Sequence, residues 1–175
     1  RPEAVRIGRY NRRTTQQTGP AMNKVFVSLL ALALAPLAFA ERSISFAPYA
    51  VPESGTVVAA VPEGVPQEGV FAGLDEVTGG ALRRAVEAST FTGTRTQQLS
   101  LPGVGPYDRV LLVGTGTDSV SPRLLEDIGG RAGQDGAMSA AERIEILWRG
   151  DEPDAAAHLA FGAALGQYRF TKYRT

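Results

Sequence analysis

The stretch Asp108-Arg109-Val110-Leu111-Leu112-Val113-Gly114-Thr115-Gly116 decides the fold. Arg109–Val113 is a nearly unbroken apolar run ending at glycine, the pattern of a parallel strand covered on both faces. A strand with one wet face would alternate instead. Working outward, Thr56-Val57-Val58-Ala59-Ala60-Val61 is a second run rich in β-branched residues, stopped by Pro62-Glu63-Gly64. Arg143-Ile144-Glu145-Ile146-Leu147-Trp148 alternates and then runs apolar, a third strand. Gln97–Leu101 is a weaker fourth, closed by Pro102-Gly103.

Helical patterns lie between these strands. Gly79-Gly80 opens Ala81–Ala88, where Ala81, Leu82, Ala85 and Val86 share one face and Arg83, Arg84 and Glu87 the other. Asp75 or Thr78 is placed to cap it. Ser121-Pro122 starts the next helix, Ser as cap and Pro in the first turn, with Leu124, Leu125, Ile128 and Ala132 apolar. Gly129, Gly130, Gly133 and Gly136 weaken it by up to about 1 kcal/mol each relative to Ala. Close packing against a sheet would offset that. Pro153–Gly166 is an Ala-rich helix with Asp151 or Asp154 near its positive end. Strands alternating with helices predict a three-layer α/β fold, a mixed, mostly parallel sheet with helices on both faces.

The 175 residues carry no cysteine, which excludes disulfides, thiolate metal sites and a cysteine nucleophile. Formal charge is zero but unevenly spread. Arg1, Arg6, Arg9, Arg12, Arg13 and Lys24 meet only Glu3 before Ala40, so the chain from Glu41 onward is net acidic. Phosphate backbones repel such a domain, and no nucleic-acid partner is expected. Arg1–Ala21 is polar, Arg-rich and without hydrophobic period, and reads as a disordered, transit-peptide-like or untranslated extension. Met22–Ala40 has a short positive start, an apolar stretch and the small-x-small Ala38-Phe39-Ala40, the layout of a secretory signal peptide or an apolar segment joined by a wrong start. It is short for a membrane span, and Pro36 interrupts it. Residues 41–175 form the domain, and about 130 residues bury roughly two-thirds of their unfolded surface.

Chemistry is sparse. His158 is the only histidine, four residues after Asp154 on the Ala-rich helix. No Gly-x-Ser-x-Gly elbow and no His-Glu-x-x-His pair accompanies it, so it reads as structural. Val113-Gly114-Thr115-Gly116-Thr117-Asp118 occupies the strand-to-helix position of a phosphate loop. It lacks the third glycine of the dinucleotide fingerprint and any Gly-Lys-Ser/Thr ending, so a plain strand-ending turn is the better reading. Asp75/Glu76, Glu126/Asp127 and Asp151/Glu152 are adjacent pairs, which point apart on a helix and make poor twin ligands. No catalytic, cofactor-binding or metal-ligating residue is assigned.

Three motifs together carry a likeness: Leu74–Ala85, Phe91-Thr92-Gly93, and Asp108–Gly116, in that order and spacing. They resemble the N-terminal domain of the leucyl (cytosol) aminopeptidases, the M17 metallopeptidase family. His158–Thr175 is similar to the segment where that domain hands over to the catalytic domain. The likeness runs from about Ile44 to Thr175, departing at Thr94-Arg95-Thr96 and Arg174. It implies a macro-domain-like fold, cytoplasmic location and a homohexamer, with the enzyme's own C-terminal catalytic domain as partner. It also implies release of N-terminal residues from peptides by two divalent metals (zinc, manganese or magnesium), which polarise a bridging water. Those metal ligands belong to the C-terminal domain, and no position here matches them. The alternative is an exported stand-alone macro-like module that binds a ligand with the Gly114–Asp118 loop.

Overall fold

Val57, Val58, Ala59 and Val61 are all fully buried, so the second apolar run is walled in on both faces. This computed structural model describes residues 3–9, 42–117, 119–138, 141–152 and 154–167. The order is β1 (Glu3–Arg9), β2 (Arg42–Pro48), β3 (Gly55–Pro62), α1 (Gly69–Val77), α2 (Ala81–Glu87), β4 (Gln98–Val104), β5 (Tyr107–Gly116), α3 (Pro122–Met138), β6 (Arg143–Trp148) and α4 (Ala155–Gln167). One six-stranded sheet runs β2-β1-β6-β3-β5-β4. The central β6, β3 and β5 are parallel, and β4, β1 and β2 pair antiparallel.

Alternation along the strands divides the core in two. Val58, Leu111, Val113, Ile144 and Ile146 face α3 and α4 on one side. Val57, Ala59, Val61, Val110, Leu112 and Leu147 face α1 and α2 on the other. A mixed sheet with helices on both faces is therefore the architecture. The four expected strands are present, and the strand expected at Arg109–Val113 extends from Tyr107 to Gly116.

Two of the expected caps hold in an unanticipated way. Asp75 and Thr78 both serve α2, although Gly80, at φ 77, occupies the N-cap position itself. Asp75 Oδ1 accepts from the Arg83 amide at 2.8 Å, and Thr78 Oγ1 accepts from the Leu82 amide at 3.2 Å. Ser121 Oγ accepts from the Leu124 amide at 3.3 Å, as read from the sequence. α4 begins at Ala155, because Asp154 takes a left-handed φ of 58 that the helix cannot include.

Glu3–Arg9 corrects a reading. It lies in the stretch expected to lack structure, yet it is the second strand of the sheet, with Ala4, Val5 and Ile7 buried. Seven residues are too few for the alternation to register among the surrounding arginines, and the sheet supplies an anion, Glu145, for Arg6. α1 is a further helix beyond those the sequence predicts: only Val70, Phe71 and Leu74 mark its buried face, in nine residues that include Gly69 and Gly73. Met22–Ala40, Asp118, Pro153 and residues 168–175 lie outside the described residues. Among the described residues, no helix is long and apolar enough to cross a membrane.

Gly129 and Gly133 of α3 pack against α4, not against the sheet. A Cβ on Gly129 would fall on the Leu159 carbonyl oxygen, and one on Gly133 on that of Ala163. From the other side, Gly162 meets Glu126 O and Gly166 meets Gly130 O. The two backbones touch, as in helix pairs built on small-xxx-small spacing. Gly130 is different, because its Cβ would sit 3.7 Å from Gly162 O, an ordinary contact. Gly129→Ala is therefore expected to destabilise by about 1–3 kcal/mol through overpacking. Gly130→Ala is expected to stabilise by up to about 1 kcal/mol through helix propensity. Urea unfolding of the two variants side by side checks the contrast.

Candidate functional site

In open α/β sheets ligands gather outside the carboxyl ends of the strands, where connections leave to opposite faces. Here β3 hands over to α1 on one face, while β5 and β6 hand over to α3 and α4 on the other. The crevice between them is a cavity of about 150 Å³, lined among others by Ala60, Gly69, Phe71, Thr115 and Trp148. Small-molecule sites usually need about 300–1,000 Å³. The crevice is too small for such a ligand.

Backbone contact fills what the loop would otherwise offer. The Gly114 amide donates to Gln97 O at 2.9 Å, and the Gly116 amide to Gly93 O at 2.9 Å. A Cβ on Gly114 would strike Thr94 O, and one on Gly93 would strike Pro62 O. The glycines of Phe91-Thr92-Gly93 and Gly114-Thr115-Gly116 thus let two chain segments cross in contact at the strand ends. A phosphate cradle needs free amides. These two amides are already bonded, which supports the turn reading.

The other sequence candidates are dispersed. His158 Nδ1 lies 3.0 Å from Glu126 Oε1, tying α4 to α3, and the side chain is about a third exposed. Asp75 binds Arg83 through both the backbone amide and Nε, the latter at 3.2 Å, and the Arg83 guanidinium lies over the Phe71 ring. Asp151 is exposed, while a buried Glu152 Oε2 sits against Gly150 beside the Trp148 indole, each polar atom lacking a hydrogen-bond partner. Among the described residues, no group of three His, Cys, Asp or Glu is placed to hold a metal ion.

The amino edge of the sheet holds a charge cluster that sequence reading missed. A cavity of about 810 Å³ opens there, lined by Asp108, Arg109, Arg143 and Glu145 among others. Glu145 is 4% exposed and pairs with Arg143 at 2.8 Å. Arg6 Nε lies 3.4 Å from its other oxygen, close enough for an ion pair but not aligned as a hydrogen bond. Arg109 pairs with Asp135 at 3.2 Å. The available signal was a charged residue inside a strand, on the face shared with Leu147. Held between the Arg6 and Arg143 guanidiniums, Glu145 serves as their counter-ion.

Tyr107 closes this region. Its hydroxyl donates to Pro52 O at 2.7 Å, and burial pushes the phenol up from 10.0, helped by Tyr49 and Glu145. A raised phenol favours the folded state's neutral form, so its contribution is complete below pH 10 and is lost as pH climbs through the folded value. Tyr107→Phe is expected to cost about 1 kcal/mol near neutral pH by removing the hydrogen bond. It should also flatten the alkaline fall in stability, though not abolish it, since burial raises Tyr49 as well. Denaturant melts at pH 8 and at pH 11 read both effects.

The comparisons agree on one family. The cytosol aminopeptidase family, N-terminal domain, matches residues 57–175. A probable cytosol aminopeptidase of Caulobacter vibrioides is 39% identical over 105 residues, covering 58% of this chain and 21% of that protein. Another from Brucella anthropi is 34% identical over 146 residues, covering 76% of this chain and 28% of its own length. A solved tomato leucine aminopeptidase mutant superposes with a TM-score of 0.57 at 21% identity, covering 70% of this chain and 27% of that one, a likeness of fold. The chain spans roughly a quarter of the length of these relatives. It belongs to the cytosol aminopeptidase family, as an N-terminal domain.

Proposed function

We propose that this domain is the non-catalytic N-terminal part of a leucyl-aminopeptidase-type enzyme, serving assembly and access to an active site carried by the C-terminal catalytic domain. The observation that carries the reading is the family match over residues 57–175. In this reading the whole enzyme removes N-terminal residues from peptides in the cytoplasm, as a homohexamer using two divalent metals. The described residues do not fit such a metal pair. Asp75, Asp135 and Glu145 are each paired with arginine, Glu126 is held by His158, and these groups are spread over α1, α3 and β6. No catalytic step is assigned to them.

α4 offers a surface for the catalytic domain. Phe161 and Leu165 are one turn apart, 55% and 60% exposed, beside the groove between α3 and α4. Large apolar side chains standing together in water favour association. The chain alone is therefore expected to self-associate as concentration rises, and Phe161→Ser with Leu165→Ser to remain monomeric with an unchanged melting temperature. Sedimentation velocity across a concentration series checks this, and a wild-type chain that stays monomeric throughout counts against the surface.

Activity supplies the direct test. The purified chain, given zinc or manganese, is expected to leave a leucine chromogenic amide intact. Chelator-sensitive release by the chain alone, free of host peptidases, overturns the assignment.

A further inference from the structure

We propose that the place between β2 and β6 is a strand-acceptor site, and that it exchanges the chain's own Glu3–Arg9 for the same segment of a second copy. β1 is bonded along both edges, antiparallel to β2 from Glu3↔Pro48 to Arg9↔Arg42 and to β6 from Glu3↔Trp148 to Gly8↔Arg143. Neighbouring antiparallel strands are usually joined by about 2–5 residues. Here residues 10–41 separate β1 from β2 in the sequence, far more than two neighbouring strands need. The family match starts at residue 57, beyond β1, so this strand joins the sheet from outside the matched part of the domain.

The site selects its occupant on both faces. Val5 and Ile7 enter the core shared with α3 and α4. On the opposite face Ala4 is buried at 1% exposure, and Arg6 stands opposite the buried Glu145. A one-residue slip would drive Arg6 into apolar packing and take a cation from Glu145. A second copy carries this complement unchanged, and exchange preserves every contact, which makes swapping a low-cost route to a dimer. Covalent connection favours the copy's own strand, and exchange between copies competes with it as chain concentration approaches the order of millimolar. The exchanged dimer is therefore a minor species in dilute solution and accumulates when chains refold together at high concentration.

The absence of native cysteine makes the test clean. Val5 and Ile146 are register partners, and directly opposed antiparallel residues lie within disulfide reach. Full-length Val5→Cys and Ile146→Cys chains are refolded together and oxidised, beside each alone and beside the double variant. The expected result is a mixed disulfide dimer whose yield rises with chain concentration, little dimer from either variant alone, and an internal disulfide in the double variant. If the double variant closes but the mixture gives no mixed dimer up to millimolar chain, β1 does not exchange and the proposal fails. If the double variant does not close, β1 is not in that place and the proposal fails with it. Should a cysteine variant not fold, Phe161→Ser, Leu165→Ser chains in light and heavy isotopes, which lack the apolar surface of α4, are refolded together. Native mass spectrometry then shows light–heavy dimers if exchange occurs, and monomers only if the proposal is wrong.

Discussion

Parallel strands cannot be joined by a tight turn, and this single constraint organises the molecule. β5 and β6 are consecutive and run the same way, so α3 must carry the chain back to the amino ends, whereas β3 reaches β5 through α1, α2 and the antiparallel β4. The helices of these connections fall on both faces. β3 consequently has no wet side, and its Val57, Val58, Ala59 and Val61 are excluded from water. Two cores result, and every helix is held by the one it covers.

That same arrangement explains why, among the described residues, the crevice at the carboxyl edge is only about 150 Å³. The handovers from β3 and β5 converge there, and the chain between Phe91 and Gln97 passes over them. Backbone meets backbone where Gly93 faces Pro62 and where Gly114 faces Thr94. Glycine at these positions serves contact within the protein. In two of the motifs that resemble the aminopeptidase domain, the glycines thus serve packing.

The central strands were legible because burial on both faces writes a continuous apolar run, as at Arg109–Val113. Ser121 was legible because a cap in front of proline has little other use. Three features were not. β1 carries its signal in Val5 and Ile7 alone, and the partner that neutralises Arg6 lies far along the chain at Glu145. The glycines of α3 announced a close neighbour without naming it, since sequence spacing does not say whether a sheet or a helix will arrive. Glu145 looked like the polar half of an alternating strand, because pairing with arginines on other positions is a property of the assembled sheet.

The seam between α3 and α4 has an evolutionary corollary. Gly129, Gly133, Gly162 and Gly166 each face a main-chain oxygen of the opposite helix. Every other residue adds at least a β-carbon there, so no conservative replacement exists through which these sites could drift gradually. Descendants of this sequence can vary freely on the solvent side of both helices. Along the seam they are confined to glycine or must move the helices apart in a single step.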